Sequence, residues 1–250
     1  MGTFTGKVII VTGGSSGIGR AAAILFGKEG GKVVVANRRI KEGEETVKMI
    51  KDAGGEGIFV QTDVRIAAQV ENMVKKTVDT YGKLDIAFNN AGLAGVFQKL
   101  TDESEEIFYA QIDTNLKGIW LCMKNEIPVM LKQGGGVIVN NASITGLRAL
   151  RKLNSYSASK HAVVGLTNSA AKEYAPYNIR IVAVCPGWTK TPMLWEFTSN
   201  PELMKKTEAT VPLRRMARPE EIAELVIFLA SDKASYIAGG GIAISGALDI

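Results

Sequence analysis

The stretch Lys7-Val8-Ile9-Ile10-Val11-Thr12-Gly13-Gly14-Ser15-Ser16-Gly17-Ile18-Gly19-Arg20 carries the decisive reading. Its first half is a continuous apolar, β-branched run of the kind that fills a strand buried on both faces. Glycines at 13, 17 and 19 then let the backbone turn tightly without Cβ clashes, and helical spacing follows at once. A helix that starts there offers unpaired N–H groups and a positive dipole end to an anion. The pattern G-x-x-x-G-x-G after a first strand therefore predicts a pyrophosphate loop built from Gly13, Ser15, Ser16, Gly17, Ile18 and Gly19. A plain strand-to-helix turn also uses glycine, so the reading depends on what surrounds the loop.

Outward from the loop, the same alternation repeats. Strand-like runs are expected at 7–11, 32–36, 57–61, 84–88, 137–140, 179–184 and 241–244, with helical spacing at 19–28, 41–53, 67–81, 103–132, 155–174 and 219–230. Apolar strands separated by helices imply a parallel sheet covered on both faces, and right-handed crossovers make it doubly wound. No linker, repeat or low-complexity tract divides the chain. We expect one Rossmann-type α/β domain spanning residues 1–250, with ligands bound beyond the carboxyl ends of the strands.

Composition removes several classes of chemistry. The 250 residues are 46% hydrophobic and 22% charged, ordinary globular values. No run approaches the ~20 apolar residues of a membrane span, and no signal-peptide pattern precedes the first strand. An intracellular, cytoplasmic protein with no membrane partner is expected. The net charge of +5 comes from positive residues spread among acids on helix faces, so no nucleic-acid partner is expected. Cys122 and Cys185 are isolated, which fits a reducing compartment. His161 is the single histidine, which argues against a Ser-His-Asp hydrolase and a histidine-rich metal site; no metal residues are assigned.

The second strand ends Val35-Ala36-Asn37-Arg38-Arg39. A carboxylate about 20 positions past the glycine loop would hold the ribose 2′-hydroxyl of NAD. Asn37 stands there instead, and the guanidinium of Arg38 can pair with a 2′-phosphate. NADP(H) is favoured on this ground, while NAD(H) stays open because Asn37 tolerates either.

The fifth strand runs into Asn141-Ala142-Ser143, and Tyr156-Ser157-Ala158-Ser159-Lys160 follows on helical spacing. Tyr156 and Lys160 at i and i+4 share a helix face. An ammonium about 5 Å from a phenol contributes roughly 3 kcal/mol at an effective dielectric near 20. That predicts a phenol brought from ~10 toward ~8, able to exchange a proton with an alcohol oxygen. Ser143 could bond the same oxygen and steady its developing charge.

Together these residues resemble the short-chain dehydrogenase/reductase family, in its group of single-domain subunits of about this length. The resemblance covers essentially the whole chain. It rests on Thr12–Gly19, Asp63-Val64, Asn89-Asn90-Ala91-Gly92, Asn115, Ser143, Tyr156 with Lys160, Pro186-Gly187 and Arg218-Pro219-Glu220-Glu221, in that order. It implies hydride transfer between a nicotinamide and a carbonyl or alcohol carbon. Tyr156 would be the general acid or base, and Lys160 would lower its pKa and hold the nicotinamide ribose. Ser143 would place the substrate oxygen, and Asn115 would keep a water linking Lys160 to solvent. Asp63 would meet the adenine amino group with the backbone of Val64 beside it; Asn90 would line the adenosine ribose side, and Ala91 and Gly92 would also meet the cofactor. Thr189 and Thr191, after the cofactor-binding Pro186-Gly187, would hold the carboxamide. A homotetramer or homodimer is implied by the resemblance alone. Ser16 stands where many NADP-users of the family carry a basic residue, so the cofactor choice rests on Arg38. Ile237–Gly240 and Ile244–Ala247 also depart from the usual glycine pattern near the C-terminus.

The region 188–215 supplies Trp188, Met193, Leu194, Trp195, Phe197, Leu203 and Met204 as apolar surface, and 189–215 reads as a lid over the nicotinamide; packing of these residues on the body or on a neighbouring subunit is the alternative. Leu93, Ala94, Leu147, Leu150 and Leu153 could complete an apolar pocket, which suits a neutral ketone, aldehyde or secondary alcohol. An acyl chain on a carrier protein that meets Arg148, Arg151 and Lys152 is a lesser option. Two rival classes stay open: an NAD(H)-dependent alcohol, sugar or cyclic-diol dehydrogenase of the same fold, and a sensor that binds the cofactor without catalysis, which has no need of the Ser143, Tyr156 and Lys160 set.

Overall fold

A computed structural model describes residues 2–248. Seven parallel strands form one sheet in the order β3-β2-β1-β4-β5-β6-β7. They are β1 (Val8–Thr12), β2 (Lys32–Asn37), β3 (Glu56–Gln61), β4 (Ile86–Asn89), β5 (Gly136–Asn141), β6 (Ile179–Pro186) and β7 (Gly241–Ile244). The helices are α1 (Gly17–Lys28), α2 (Ile40–Asp52), α3 (Ala67–Tyr81), α4 (Glu105–Gln111), α5 (Gly118–Gln133), α6 (Asn154–Tyr174), α7 (Trp195–Thr198), α8 (Pro201–Thr210) and α9 (Pro219–Ala230).

Side chains alternate across each strand, so β1 feeds two cores. Ile9 and Val11 pack with Phe26 of α1, Ile50 of α2 and Ile222 of α9. Ile10 turns to the other face, where Met73 of α3, Ile119 of α5 and Val163 of α6 lie. All five residues of β1 are buried, which is why its sequence is apolar without interruption. The strand order reverses between β1 and β4, and the loops after those strands frame a crevice at that switch point.

The expected helix at 103–132 is two helices joined by a π-helical segment. The Ser104 side chain accepts from the Ile107 N–H and caps α4. Ile112–Lys117 then winds as a π-helix before α5 begins. Such an insertion has a cause when a side chain must turn inward, and here Asn115 is fully buried against the loop after β4. Residues 189–215, read as one lid, hold two short helices, α7 and α8. No helix among the described residues is long and apolar enough to cross a membrane.

Candidate active site

The glycine loop closes onto the end of β4. Gly17 has a φ of +52°, a conformation that favours glycine. A Cβ on Gly19 would lie 2.4 Å from the Gly13 carbonyl oxygen and 2.5 Å from Asn90 Nδ2. The first turn of α1 has no side-chain cap, since Ser16 makes no capping hydrogen bond. Its free N–H groups therefore remain available to an anion.

A crevice of about 320 Å³ opens over this loop. Gly13, Ser15, Ser16, Gly17, Ile18, Asn37, Arg38, Asp63, Val64, Asn90, Ala91, Gly92 and Thr191 line it as expected. Gly19 acts from behind the loop, leaving it room to close. Arg39 and Arg65 also line the crevice, and the sequence reading assigned neither to it. Arg39 Nη2 donates to Ser15 Oγ (3.0 Å) and Ser16 Oγ (3.1 Å), while its Nη1 lies 3.4 Å from Glu42 Oε1. Arg65 pairs with both carboxylate oxygens of Asp63, at 3.0 and 2.6 Å, and this bond lowers the Asp63 pKa. Among the described lining residues Asp63 is the only carboxylate, against three guanidinium groups. The corner is thus net cationic, and its one acid is already paired.

Asn90 carries a heavier structural load than its family role suggests. Its backbone N–H donates to Thr12 Oγ1, its Nδ2 to the Thr12 carbonyl, and its Oδ1 accepts from Asn141 Nδ2. The side chain ties β1, β4 and β5 together. Asn115 exchanges two hydrogen bonds with the Leu93 backbone (2.7 and 3.2 Å) and donates to Gln111 Oε1 at 2.7 Å. It lines neither cavity; its amide pins the loop after β4.

A second, larger cavity of about 850 Å³ continues from the crevice. Ile18, Asn90, Gly92, Leu93, Asn141 and Thr191 are among the residues that line both. Ser143, Tyr156, Lys160, Pro186, Gly187 and Thr189 face the larger one. Ser143 Oγ accepts from the Thr145 N–H (3.2 Å) and Thr145 Oγ1 (2.9 Å). With both lone pairs engaged, its own O–H is free to donate. Lys160 is 4% exposed; its Nζ donates to the Asn141 carbonyl at 2.9 Å and stands 5.7 Å from the centre of the Tyr156 ring.

The electrostatics correct one expectation. Burial raises the Tyr156 pKa above 10, and the Ser143 hydroxyl partly offsets this. Lys160 does not bring the phenol toward ~8. The same burial lowers the lysine itself to about 8. Desolvation disfavours both charged forms, and the ammonium is anchored to a carbonyl rather than aimed at the phenolic oxygen. Attraction to the ammonium alone would lower the phenol, but the cost of burying its charged form is the larger effect here.

The remaining walls are apolar. Phe97, Trp188 and Phe197 come from three separate segments and form one cluster with ring centroids 5.4–6.5 Å apart. Leu93, Ala94, Leu150 and Leu153 line the cavity as expected, whereas Leu147, Leu203 and Met204 do not. Cys122 and Cys185 are buried free thiols.

Sheet order, glycine loop and this serine–tyrosine–lysine constellation define the chain as a member of the short-chain dehydrogenase/reductase family, and it is an oxidoreductase. Residues 13–248 match the family profile described as enoyl-(acyl carrier protein) reductase. An uncharacterized oxidoreductase of Thermotoga maritima is 43% identical over 97% of each chain. A cyclohexanol dehydrogenase of an Acinetobacter species is 38% identical over 98% of this chain and 95% of its own. An actinorhodin polyketide ketoreductase solved with NADPH superposes at a TM-score of 0.93, with 35% identity over 98% of each chain. A Brucella melitensis 3-ketoacyl-(acyl-carrier-protein) reductase solved with NADH gives 0.92, with 34% identity over 98% of this chain and 99% of its own.

Proposed function

We propose that this protein is an NADP(H)-dependent carbonyl reductase and secondary-alcohol dehydrogenase acting on neutral, apolar substrates. The observation that carries this reading is the continuity of the two cavities: an arginine-lined phosphate crevice runs into an apolar chamber that holds Ser143, Tyr156 and Lys160. When bound, the nicotinamide supplies or accepts the hydride. Gly13 to Gly19 and the uncapped start of α1 hold the pyrophosphate, and Arg38 with Arg39 hold the 2′-phosphate. Arg65 neutralises Asp63, which removes the repulsion that carboxylate would exert on the same phosphate. Thr189 and Thr191 hold the carboxamide.

In reduction, Tyr156 gives its phenolic proton to the substrate oxygen. A raised pKa keeps that proton in place at neutral pH, which suits an acid. Ser143 donates its O–H to the same oxygen and stabilises the charge that builds there. Lys160, cationic below about pH 8, supports the phenolate left behind. Oxidation needs the phenolate at the outset, so it gains as pH rises.

Among the described lining residues of the larger cavity, Lys160 is the only charged one, and it is already bonded. A cationic substrate would find no counter-ion there, and an anionic one only the buried ammonium that supports Tyr156. Residues 189–197 form the part of the expected lid that reaches the cavity, closing it against water. The test follows reduced-nicotinamide absorbance across a panel of cyclic and open-chain ketones and alcohols with both cofactors. The reading expects NADPH-dependent turnover of neutral, apolar members; equal or better turnover with NADH, or a preference for acidic substrates, overturns it.

A further inference from the structure

Behind the crevice, α5 carries a fully buried carboxyl, Glu126, that the reaction proposed above does not use. Asn89, the last residue of β4, donates from Nδ2 to Glu126 Oε2 (3.0 Å) and to Asn140 Oδ1 of β5 (3.2 Å). Asn140 passes the chain on to Thr167 Oγ1 of α6 at 3.0 Å. Two oxygens are left over. Glu126 Oε1 and Asn89 Oδ1 are both buried with no hydrogen-bond partner among the described residues. They belong to the two side chains that already share one hydrogen bond. An ionised carboxylate and an amide oxygen are acceptors only, so neither can satisfy the other, and buried acceptors left unpaired are costly. A single proton on Glu126 Oε1 supplies the missing donor to both.

We infer that Glu126 is held as a neutral acid, its Oε1–H donating to Asn89 Oδ1 while Oε2 accepts from Asn89 Nδ2, and that this reciprocal pair positions the ends of β4 and β5. The surroundings agree. Cys122 and Met123 on α5, Asn140 on β5 and Thr167 on α6 carry no charge, and the Cys122 thiol is itself pushed up by burial. The buried side of α3, which packs on α5, presents Val70, Met73, Val74 and Thr77. Burial raises the Glu126 carboxyl to about 7, with only the Asn89 hydrogen bond opposing.

The next residue along each strand faces the crevice. Asn90 follows Asn89, Asn141 follows Asn140, and the two are joined by the 2.9 Å bond from Asn141 Nδ2 to Asn90 Oδ1. The Asn141 carbonyl receives Lys160. Glu126 is therefore a positioning residue, one step behind the groups that hold the lysine and the glycine loop. The protonation stands apart from the proposed reaction, whereas the effect on cofactor binding rests on it.

The first test is carboxyl NMR of wild-type protein carrying ¹³C-labelled glutamate. One resonance should titrate near neutral pH, far above the ordinary glutamate range, and should vanish in Glu126→Gln. The second is urea unfolding between pH 4.5 and 7. The folded carboxyl holds a proton that the unfolded chain releases, so its stabilisation is complete at low pH and is lost as pH rises toward the folded value. Over that window the folding constant should fall by roughly two orders of magnitude relative to Glu126→Gln, whose amide keeps both bonds without a proton. No glutamate titrating above the ordinary range, or parallel pH curves for the two proteins, overturns the protonation, and the wild-type spectrum alone decides it if the variant does not fold. For positioning, Glu126→Leu should weaken NADPH binding about tenfold in a fluorescence titration, about the loss of one net hydrogen bond, and Glu126→Gln should restore it. Equal affinity in the Leu and Gln proteins overturns the positioning role without touching the protonation.

Discussion

The two ends of the crevice recognise by opposite physics. At the loop end, three guanidinium groups, a bare helix start and closely approaching glycines face a small space. At the far end, a chamber more than twice as large is walled by Phe97, Trp188, Phe197 and leucines, with one buried amine at its base. Charge and backbone donors select a fixed ligand, so that end is built from short local motifs. Shape and apolar area select the variable ligand, and that end is assembled from side chains distant in the chain. The serine, tyrosine and lysine stand where the two meet, and changes there should be the most costly.

Tyr156→Phe should lower kcat by about 10³-fold, the range for loss of a positioned general acid, while NADPH still binds in a fluorescence titration. Retained turnover would remove the proton donor from the reading; lost cofactor binding would show that the two ends are not separable. The pH profile sharpens the same point. Lys160 is cationic below about pH 8, and Tyr156 holds its proton well past neutrality. The kcat/KM for reduction should therefore be flat at neutral pH and fall with a slope approaching tenfold per unit above about 8, as the amine loses its charge. Lys160→Met should abolish that limb. A falling limb near pH 8 that persists in Lys160→Met would belong to the phenol instead, and would assign it the lowered value first expected for it.

Legibility follows the same divide. The glycine loop, the alternation that sets the sheet, and the Ser143, Tyr156 and Lys160 set were readable because each is a short pattern with a local physical cause. Arg39 was passed over for its neighbour Arg38: adjacent residues at a strand end point in different directions, and only the turn into α2 shows which one crosses to Ser15 and Ser16. Arg65 was missed because its role depends on Asp63 two residues earlier, a pairing that spacing does not reveal. The π-helical segment around Asn115 was hidden inside an unbroken helical pattern. The direction of the Tyr156 shift failed for a different reason, because desolvation depends on everything packed around the phenol. The aromatic cluster joins residues 97, 188 and 197, and no periodicity connects them.

At the loop end, Arg39→Ala should weaken NADPH by roughly 10- to 100-fold, the loss of a charge-assisted pair, with NADH changed much less. Arg38→Ala should do less than Arg39→Ala, because Arg39 is the one already seated on the loop hydroxyls. The reverse order would return the phosphate to Arg38. Equal losses for NADPH and NADH in both variants would mean that neither guanidinium touches the 2′-phosphate, and the polarity drawn between the two ends would lose its basis at the loop.

The smallest expected effect tests the apolar end. Phe97 is 45% exposed, yet it stacks with Trp188 at an interplanar angle of 15° and meets Phe197 at 5.7 Å. Removing its ring costs the cluster its packing without opening the sheet core, so the fold should survive. A ring–ring contact is worth about 0.5–1.5 kcal/mol beyond the area it buries. Phe97→Ala should therefore raise KM for a large apolar ketone by a few-fold to about tenfold, leave KM for a small one nearly unchanged, and leave NADPH affinity alone. A matching rise for both substrates would mean that the cluster braces the 188–197 segment rather than reads the ligand. In that case substrate choice would lie deeper, with Leu150 and Leu153 beside Tyr156, and the chamber would discriminate by depth instead of by its rim.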